Sequence, residues 1–198
     1  MDKVSIAVFA SGTGSNARHL IELERANALH PAHVAVLVSD QPECQAVAFA
    51  RLANIPVWAK KHKEAGGKEA FERAVVSFLQ EHDVRLVVLA GYMRLVGSVL
   101  LDAYEGRMIN LHPSLLPAFK GLDAIGQALD AGIQQTGVTV HYVTAGLDDG
   151  PVIAQTPVAI KPTDTKETLS ARIHEAEHEL LSEVVRTVCL LLKENEEK

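Results

Sequence analysis

The sequence is poor in cysteine and aromatic residues and has no long hydrophobic run. Its two cysteines among 198 residues, Cys44 and Cys189, are too far apart to suggest a metal-binding pair or a disulfide framework. We therefore expect reduced thiols and a cytoplasmic protein. No apolar segment approaches the ~20 residues that cross a bilayer, and residues 4–9 are too short for a signal peptide.

Basic residues are also fewer than acidic residues. There are 19 Lys and Arg residues against 25 Asp and Glu residues, a formal net charge of −6. This balance argues against nucleic acid or an anionic membrane surface as the main partner and favours a small polar ligand. The length suits one domain, 1–198, with a substantial core. The charged end of the chain, 193–198, is expected to fray.

Alternating apolar runs and amphipathic segments predict an α/β fold. Strands are expected at 4–9, 34–39, 56–59, 85–90, 107–111, 136–145 and 152–160. Helices are expected at 17–28, 41–53, 68–82, 122–131 and from 164 to the C-terminal tail. The β-α-β-α start indicates a single doubly wound, mostly parallel sheet flanked by helices. We expect the last two strands to form an antiparallel pair.

The last helix has recognisable start and packing signals. Asp164 is expected to be its N-cap, with Glu167 at the third helical position. A stripe at helical spacing is expected to be buried: Leu169, Ile173, Ala176, Leu180, Val184, Val188 and Leu191.

Residues 10–16 form a glycine-bearing turn between the first strand and the first helix. Gly12 and Gly14 allow close backbone approach, and the free N–H groups that follow lie at the positive end of the helix dipole. Three interpretations stay open from the residues alone: a phosphate monoester site, a plain tight turn, or the dinucleotide fingerprint G-x-G-x-x-A with Asp40 as ribose partner.

The central strand near residue 110 ends in two polar side chains, Asn110 and His112, which share one face. An amide can donate a hydrogen bond to an oxyanion, and an imidazole can move a proton near neutral pH. The alternative is a solvated strand end. Pro113 and Pro117 then restrict the following loop, and we predict a cis peptide at Leu116-Pro117.

Three other stretches have both a functional and a structural interpretation. Residues 91–94 follow an apolar strand at the edge where such folds bind ligands, but they could simply begin a helix with Met93 in the core. Residues 146–151 could be a hairpin turn. His-Glu-Ala-Glu-His at 174–178 matches the zinc motif H-E-x-x-H, but only the charged tail remains to supply a third ligand, so surface side chains of a helix are the favoured interpretation.

Five ordered motifs together resemble the folate-dependent formyltransferases. They are Phe-Ala-Ser-Gly-Thr-Gly-Ser-Asn at 9–16, Leu-Ala-Gly-Tyr-Met-Arg at 89–94, Asn-Leu-His-Pro-Ser-Leu-Leu-Pro-Ala-Phe-Lys-Gly at 110–121, Thr-Gly-Val-Thr-Val-His at 136–141 and Leu-Asp-Asp-Gly-Pro-Val-Ile at 147–153. The resemblance covers nearly the whole chain. It implies formyl transfer from the co-substrate 10-formyltetrahydrofolate to the amino group of glycinamide ribonucleotide, with no metal and no covalent enzyme intermediate.

The resemblance also assigns residues. Asn110, His112 and Asp148 match the catalytic positions. Substrate binding is implied for Gly12, Thr13, Gly14, Ser15, Asn16 and Glu177. Folate binding is implied for Lys68, Met93, Arg94, Leu95, Val96, Asn110, Thr144, Ala145, Gly146, Leu147 and Asp148. Lys68 stands where some relatives use Arg, which weakens a bidentate grip on the folate carboxylates without removing the charge. Asp123 stands where some relatives carry His, so the role of that histidine does not transfer.

Within the same superfamily, methionyl-tRNA formyltransferase and formyltetrahydrofolate hydrolase share the catalytic core. Each normally carries an added domain, for which this short acidic chain is expected to leave no room. Two other classes stay open: an NAD(P)-binding oxidoreductase that uses the glycine turn, and a non-catalytic ligand-binding protein. The sequence does not determine the oligomeric state, and a homodimer stays open.

Overall fold

The computed structural model describes residues 3–195, in which strands alternate with helices. The strands are β1 (Val4–Phe9), β2 (Ala32–Ser39), β3 (Val57–Ala59), β4 (Leu86–Leu89), β5 (Met108–His112), β6 (Gln135–Tyr142) and β7 (Val152–Ala159). The helices are α1 (Ser15–Arg25), α2 (Gln45–Leu52), α3 (Lys68–Glu81), α4 (Ser98–Ala103), α5 (Ala124–Asp130) and α6 (Lys166–Glu194).

The strands form one mixed sheet in the order β3-β2-β1-β4-β5-β6-β7. The pairings from β3 to β5 are parallel, whereas β5–β6 and β6–β7 are antiparallel. The predicted doubly wound, mostly parallel sheet is therefore confirmed. The antiparallel part is larger than the expected pair, because β6 also runs antiparallel to β5.

Two hydrophobic clusters cover the two faces of the sheet, and β1 shows how one strand serves both. Val4, Ile6 and Val8 belong to the cluster that contains α1, α2 and α6 residues. Ala7 and Phe9 belong to the cluster that contains α3 and α4 residues. A strand buried on both faces reads as a continuous apolar run, as β1 does in the sequence.

The last helix begins one residue later than expected. Thr165, not Asp164, is the N-cap, and it forms a capping box with Thr168. Asp164 instead accepts the Lys161 N–H at 2.7 Å and pairs with Arg172.

The predicted stripe of α6 packs against the core except at its end, where Leu191 is 49 % exposed. The helix continues through Lys193 to Glu194, the first two residues of the tail that is expected to fray. The remainder of the expected frayed tail, 196–198, lies outside the described residues.

Several boundaries differ from the predictions. Helix α1 begins at Ser15 instead of 17, so Ser15 and Asn16 occupy its first turn. Helix α2 begins only at Gln45, because residues 41–44 form a turn that contains Pro42. Helix α4 was not predicted, and β6 ends at Tyr142 rather than at 145.

The predicted cis peptide at Leu116-Pro117 is confirmed, and a second cis bond joins His30 and Pro31. Within residues 3–195, no helix combines the length and apolar character needed to cross a membrane.

Candidate active site

A cavity of about 640 Å³ lies at the carboxyl ends of β1, β4 and β5, the edge at which doubly wound sheets bind ligands. Every predicted site residue except Lys68 lines it. These residues are Gly12, Thr13, Gly14, Ser15, Asn16, Met93, Arg94, Leu95, Val96, Asn110, His112, Thr144, Ala145, Gly146, Leu147, Asp148 and Glu177. Lys68 lies outside this lining, at the start of α3 beside Gly97.

Asn110 on β5 is oriented by a histidine that the sequence did not single out. The β5–β6 register places His141 opposite Asn110, and Asn110 Nδ2 lies 3.1 Å from His141 Nε2. His141 Nδ1 lies 2.8 Å from the Tyr142 carbonyl oxygen, which can only accept. In the neutral ring Nδ1 therefore carries the proton and Nε2 accepts from Asn110, so His141 fixes which way the amide faces.

His112 lies two residues further along β5 and shares the cavity face with Asn110. His112 Nε2 lies 2.8 Å from the Phe119 carbonyl oxygen and must donate to it. His112 Nδ1 lies 3.5 Å from Asp148 Oδ2. An acceptor therefore faces each ring nitrogen of His112, so the ring can donate a hydrogen bond on either side.

The proline loop that presents the Phe119 carbonyl is tied to the antiparallel strands. Thr139 Oγ1 donates to the Ser114 carbonyl at 2.6 Å and accepts the Leu116 N–H at 3.1 Å. Gln155 Nε2 donates to the Leu116 carbonyl at 3.0 Å. Strands β6 and β7 therefore hold the proline loop in place where it leaves β5.

Asp148 comes from the loop between β6 and β7 and adopts a left-handed conformation with φ 48°. Its Oδ2 accepts the Gly121 N–H at 2.8 Å, and its Oδ1 lies 3.4 Å from Asn110 Nδ2 and 3.7 Å from His141 Nε2. Burial alone would raise the pKa of Asp148. The neighbouring His141 ring, the hydrogen bond from the Gly121 N–H and the charge of His112 outweigh it and hold this pKa below its usual value.

The glycine turn places backbone N–H groups that have no intrahelical acceptor at the cavity wall. Gly14 precedes α1 with φ 71°, and no side chain caps the helix, so the first-turn amides beginning at Ser15 lack an intrahelical acceptor. A Cβ on Gly14 would come within 2.4 Å of Ala46 Cβ, whereas a Cβ on Gly12 would meet no atom within 4 Å. Gly14 is thus required by the fold, and Gly12 leaves open space beside the site.

Beside this turn, Glu177 of α6 joins two other cavity residues. Its Oε2 accepts from Asn16 Nδ2 at 3.0 Å and lies 2.9 Å from His174 Nδ1. This contact raises the pKa of His174 above its usual value, against an opposing effect of burial. Asn16 Oδ1 is buried without a hydrogen-bond partner among the described residues, which leaves it available to a ligand donor.

The H-E-x-x-H histidines have other partners. His174 contacts Glu177, and the ring of His178 stacks on His19 with centroids 4.6 Å apart. Burial and the neighbouring His19 lower the pKa of His178. Across residues 3–195, no group of three or more His, Cys, Asp or Glu side chains is arranged to hold a metal ion.

The surroundings of Asp40 argue against the open alternative in which it is a ribose partner. Its side chain is buried at the end of β2 and is occupied by Ser11, Gln41 and Arg94 at 2.5, 3.1 and 2.8 Å. The carboxylate therefore cannot bind a ribose as the dinucleotide interpretation requires.

The mouth of the cavity is apolar. Met93, Leu95 and Leu147 line it and yet are 64 %, 65 % and 49 % exposed. The interpretation of Met93 as a core residue is therefore wrong. Exposed apolar side chains that border a cavity are typical of a binding site for a partly apolar ligand.

Comparison with known families agrees with this geometry. Residues 4–185 match the family model described as "Formyl transferase". The chain therefore belongs to the formyl transferase family, and it is a formyltransferase.

The individual relatives are more specific. The chain is 48 % identical over 181 residues to the phosphoribosylglycinamide formyltransferase of Bacillus subtilis, covering 91 % of this chain and 92 % of that protein. It is 39 % identical over 186 residues to the trifunctional purine biosynthetic protein adenosine-3 of Bos taurus, but that match covers only 18 % of the bovine protein.

Solved structures give the same result. The phosphoribosylglycinamide formyltransferase of Bacillus halodurans is 48 % identical with a TM-score of 0.89, and the match covers 93 % of this chain and 94 % of that one. The glycinamide ribonucleotide transformylase 1 of Geobacillus kaustophilus is 47 % identical with a TM-score of 0.91, covering 94 % and 99 %.

Proposed function

We propose that this formyltransferase moves the formyl group of 10-formyltetrahydrofolate to the amino group of glycinamide ribonucleotide, as a step of purine biosynthesis. The observation that carries the proposal is the meeting of Asn110, His112 and Asp148 in one cavity. The identity to a phosphoribosylglycinamide formyltransferase over nearly the whole chain supports the choice of acceptor.

The reaction needs an oxyanion stabiliser and a proton path. The neutral amine attacks the formyl carbon, the carbonyl becomes an oxyanion, and the nitrogen becomes an ammonium. The C–N bond to the folate nitrogen then breaks as that nitrogen takes up a proton. The carbonyl reforms, and the product amide has lost one proton to the leaving group.

Asn110 and His112 are the proposed oxyanion donors. One N–H of the Asn110 amide donates to His141, and the other points to Asp148 Oδ1 at 3.4 Å, which is longer than an ordinary N–H···O hydrogen bond. This second N–H can therefore be redirected to the oxyanion. His112 as an imidazolium must leave the Phe119 carbonyl to do the same. Both donors stand on one strand, so the site has to redirect only these two contacts as the oxyanion forms.

Asp148 serves as the charge that favours imidazolium on His112, and as an acceptor for a water that relays the proton from ammonium to folate nitrogen. Its lowered pKa keeps it ionised at neutral pH. The rigid anchor from the Gly121 N–H fixes its Oδ2, while Oδ1 faces Asn110 and His141.

The two substrates would occupy opposite ends of the cavity. The phosphate of glycinamide ribonucleotide would bind the amides of the 12–16 turn, with the ribose hydroxyls at Glu177. The pterin would lie among residues 93–96 and 144–148, with the folate carboxylates at Arg94. Lys68 stays a prediction that the geometry does not support, since it is outside the lining.

A cytoplasmic location and the absence of nucleic-acid and membrane partners are part of the proposal. The acidic net charge of −6 and two free cysteines support it.

A formyl-transfer assay with both substrates tests the proposal. We expect folate product to form only when glycinamide ribonucleotide is present, in equal amount with the formylated amide. Product without the amine would indicate a hydrolase, and transfer only to an aminoacyl-tRNA would indicate the tRNA enzyme. Saturable NAD(P) binding with no folate turnover would favour an oxidoreductase.

A further inference from the structure

Three consecutive strands of the sheet, β2, β1 and β4, are bridged at their carboxyl ends by one buried carboxylate. Asp40, which follows β2, is 2 % exposed. Its Oδ1 accepts from Ser11 Oγ at 2.5 Å on the β1 side, and its Oδ2 accepts from Arg94 Nε at 2.8 Å on the β4 side. One side chain thus contacts both the glycine turn and the segment 91–96.

Ser11 extends this bridge through two backbone contacts. Its hydroxyl accepts the Met93 N–H at 3.0 Å while donating to Asp40, and its own N–H donates to the Gly91 carbonyl at 3.0 Å. The direction of the hydroxyl is therefore determined, because Asp40 takes its proton and Met93 needs its lone pair. Removing the carboxylate would leave this hydroxyl without its acceptor and free to rotate away from the orientation that suits the Met93 N–H.

Arg94 is held by its Nε alone. Its side chain is 52 % exposed, and in the described part of the chain its terminal amino groups make no other hydrogen bond. The planar guanidinium therefore presents its outer edge to the cavity with its orientation already set, which is the geometry for gripping a carboxylate with two parallel hydrogen bonds.

Burial by itself would raise the pKa of Asp40, but its bonds from Ser11, Arg94 and Gln41 keep it below the ordinary value. The group is therefore charged, and this supports the charge-assisted contact to Arg94.

We propose that Asp40 is a positioning residue that fixes segment 91–96 and the Arg94 side chain against the glycine turn, and so determines the affinity for the carboxylate-bearing folate substrate. This inference rests on the proposed function, in which Arg94 meets that substrate. Asp40 itself does not touch either reactant, since its side chain is buried and accepts from three protein donors.

Asp40→Asn is a nearly isosteric test. Its single amide oxygen cannot serve the Ser11 and Arg94 donors on both sides at once, and the amide NH₂ must face one of them. We expect the KM for 10-formyltetrahydrofolate to rise on the order of tenfold, as for the loss of one charge-assisted contact. We expect kcat to fall by less than about threefold, because the catalytic cluster lies on other strands.

A double-mutant cycle with Arg94→Gln distinguishes an effect of Asp40 that passes through Arg94 from a general disturbance of the binding site. If Asp40 acts through Arg94, adding Asp40→Asn to Arg94→Gln should change the folate KM by no more than about twofold. Gln41→Ala is the matched control, because it removes only the 3.1 Å contact to the same carboxylate and should leave the folate KM unchanged. Independent, multiplying effects of the two substitutions, or a fall in kcat with unchanged KM, would overturn the proposal.

Ser11→Ala keeps the test decisive if Asp40→Asn does not fold. It removes the hydroxyl between Asp40 and Met93 but leaves the Arg94 contact, so the folate KM should rise in the same direction by a smaller factor. An unchanged KM in this variant would also overturn the proposal.

Failure of the wild type to transfer formyl groups would count against the proposed function instead. In that case calorimetric binding of tetrahydrofolate to wild type and Asp40→Asn still tests the inference. Equal affinities would refute it, and weaker binding by the variant would support it.

Discussion

Replacing Asp148 by asparagine removes one charge from the centre of the catalytic cluster while preserving its shape. The amide oxygen should keep the Gly121 N–H at the Oδ2 position, since the reverse orientation would put the NH₂ group against that donor at 2.8 Å. The amide nitrogen then faces Asn110 Nδ2, which is also a donor. His112 Nδ1, 3.5 Å away, loses its negative neighbour.

The expected size of the effect follows from this geometry. Two unit charges about 4 Å apart attract by about 4 kcal/mol at an effective dielectric constant of ~20, and desolvation offsets part of this. A hundredfold loss of rate corresponds to an activation barrier raised by about 2.7 kcal/mol, which is less than this attraction. We therefore expect kcat to fall on the order of 10²-fold or more, with both KM values largely preserved.

Asp149→Asn is the matched control. The Asp149 carboxylate accepts from Thr144 Oγ1 at 2.9 Å, and an amide oxygen can still accept there. Steady-state kinetics for both substrates, with thermal unfolding to verify folding, compare the two variants. If Asp149→Asn were crippled while Asp148→Asn kept full turnover, the assignment of the catalytic cluster would be wrong.

Four further substitutions test the substrate end and the acid stability of the fold. Gly12→Ala should raise the KM for glycinamide ribonucleotide several-fold at unchanged thermal stability. Gly14→Ala should instead lower the free energy of unfolding by at least about 1–2 kcal/mol through left-handed strain. Equal melting temperatures of the two variants would contradict this. Glu177→Gln should raise the same KM on the order of tenfold and leave the folate KM unchanged, and equal effects on both would remove its ribose role. Arg172 holds the pKa of Asp164 below its ordinary value of 3.8, so Asp164 stabilises the fold above about pH 4 and this stabilisation is lost as pH falls through the folded pKa. The free energy of unfolding, measured with urea at about pH 7 and about pH 3, should therefore fall less on acidification in Asp164→Asn than in wild type. An identical fall in both proteins would refute this role of Asp164.

The sequence predicted the parts of the site that lie on local patterns. Asn110 and His112 share a strand face because of the two-residue period, and the turn at 12–16 follows from glycine spacing and the start of α1. The boundaries were less accurate where capping decides them, as at Thr165. Asp164 and Thr165 are both good N-cap residues, and the contacts of Asp164 with Arg172 and the Lys161 N–H form only in the folded chain.

The contributions of His141 and Asp40 depend on strand order and register, which no local pattern specifies. His141 faces Asn110 only because β6 runs antiparallel to β5 in a register that pairs these two residues. Asp40 reaches Arg94 only because β1 lies between β2 and β4, although 54 positions separate the two in sequence. A dinucleotide-type glycine turn followed by an acid at the end of the second strand therefore has two physical outcomes. Where the acid is exposed it can bind a ribose, and where an arginine after β4 occupies it, as here, it orders the loops of a different site.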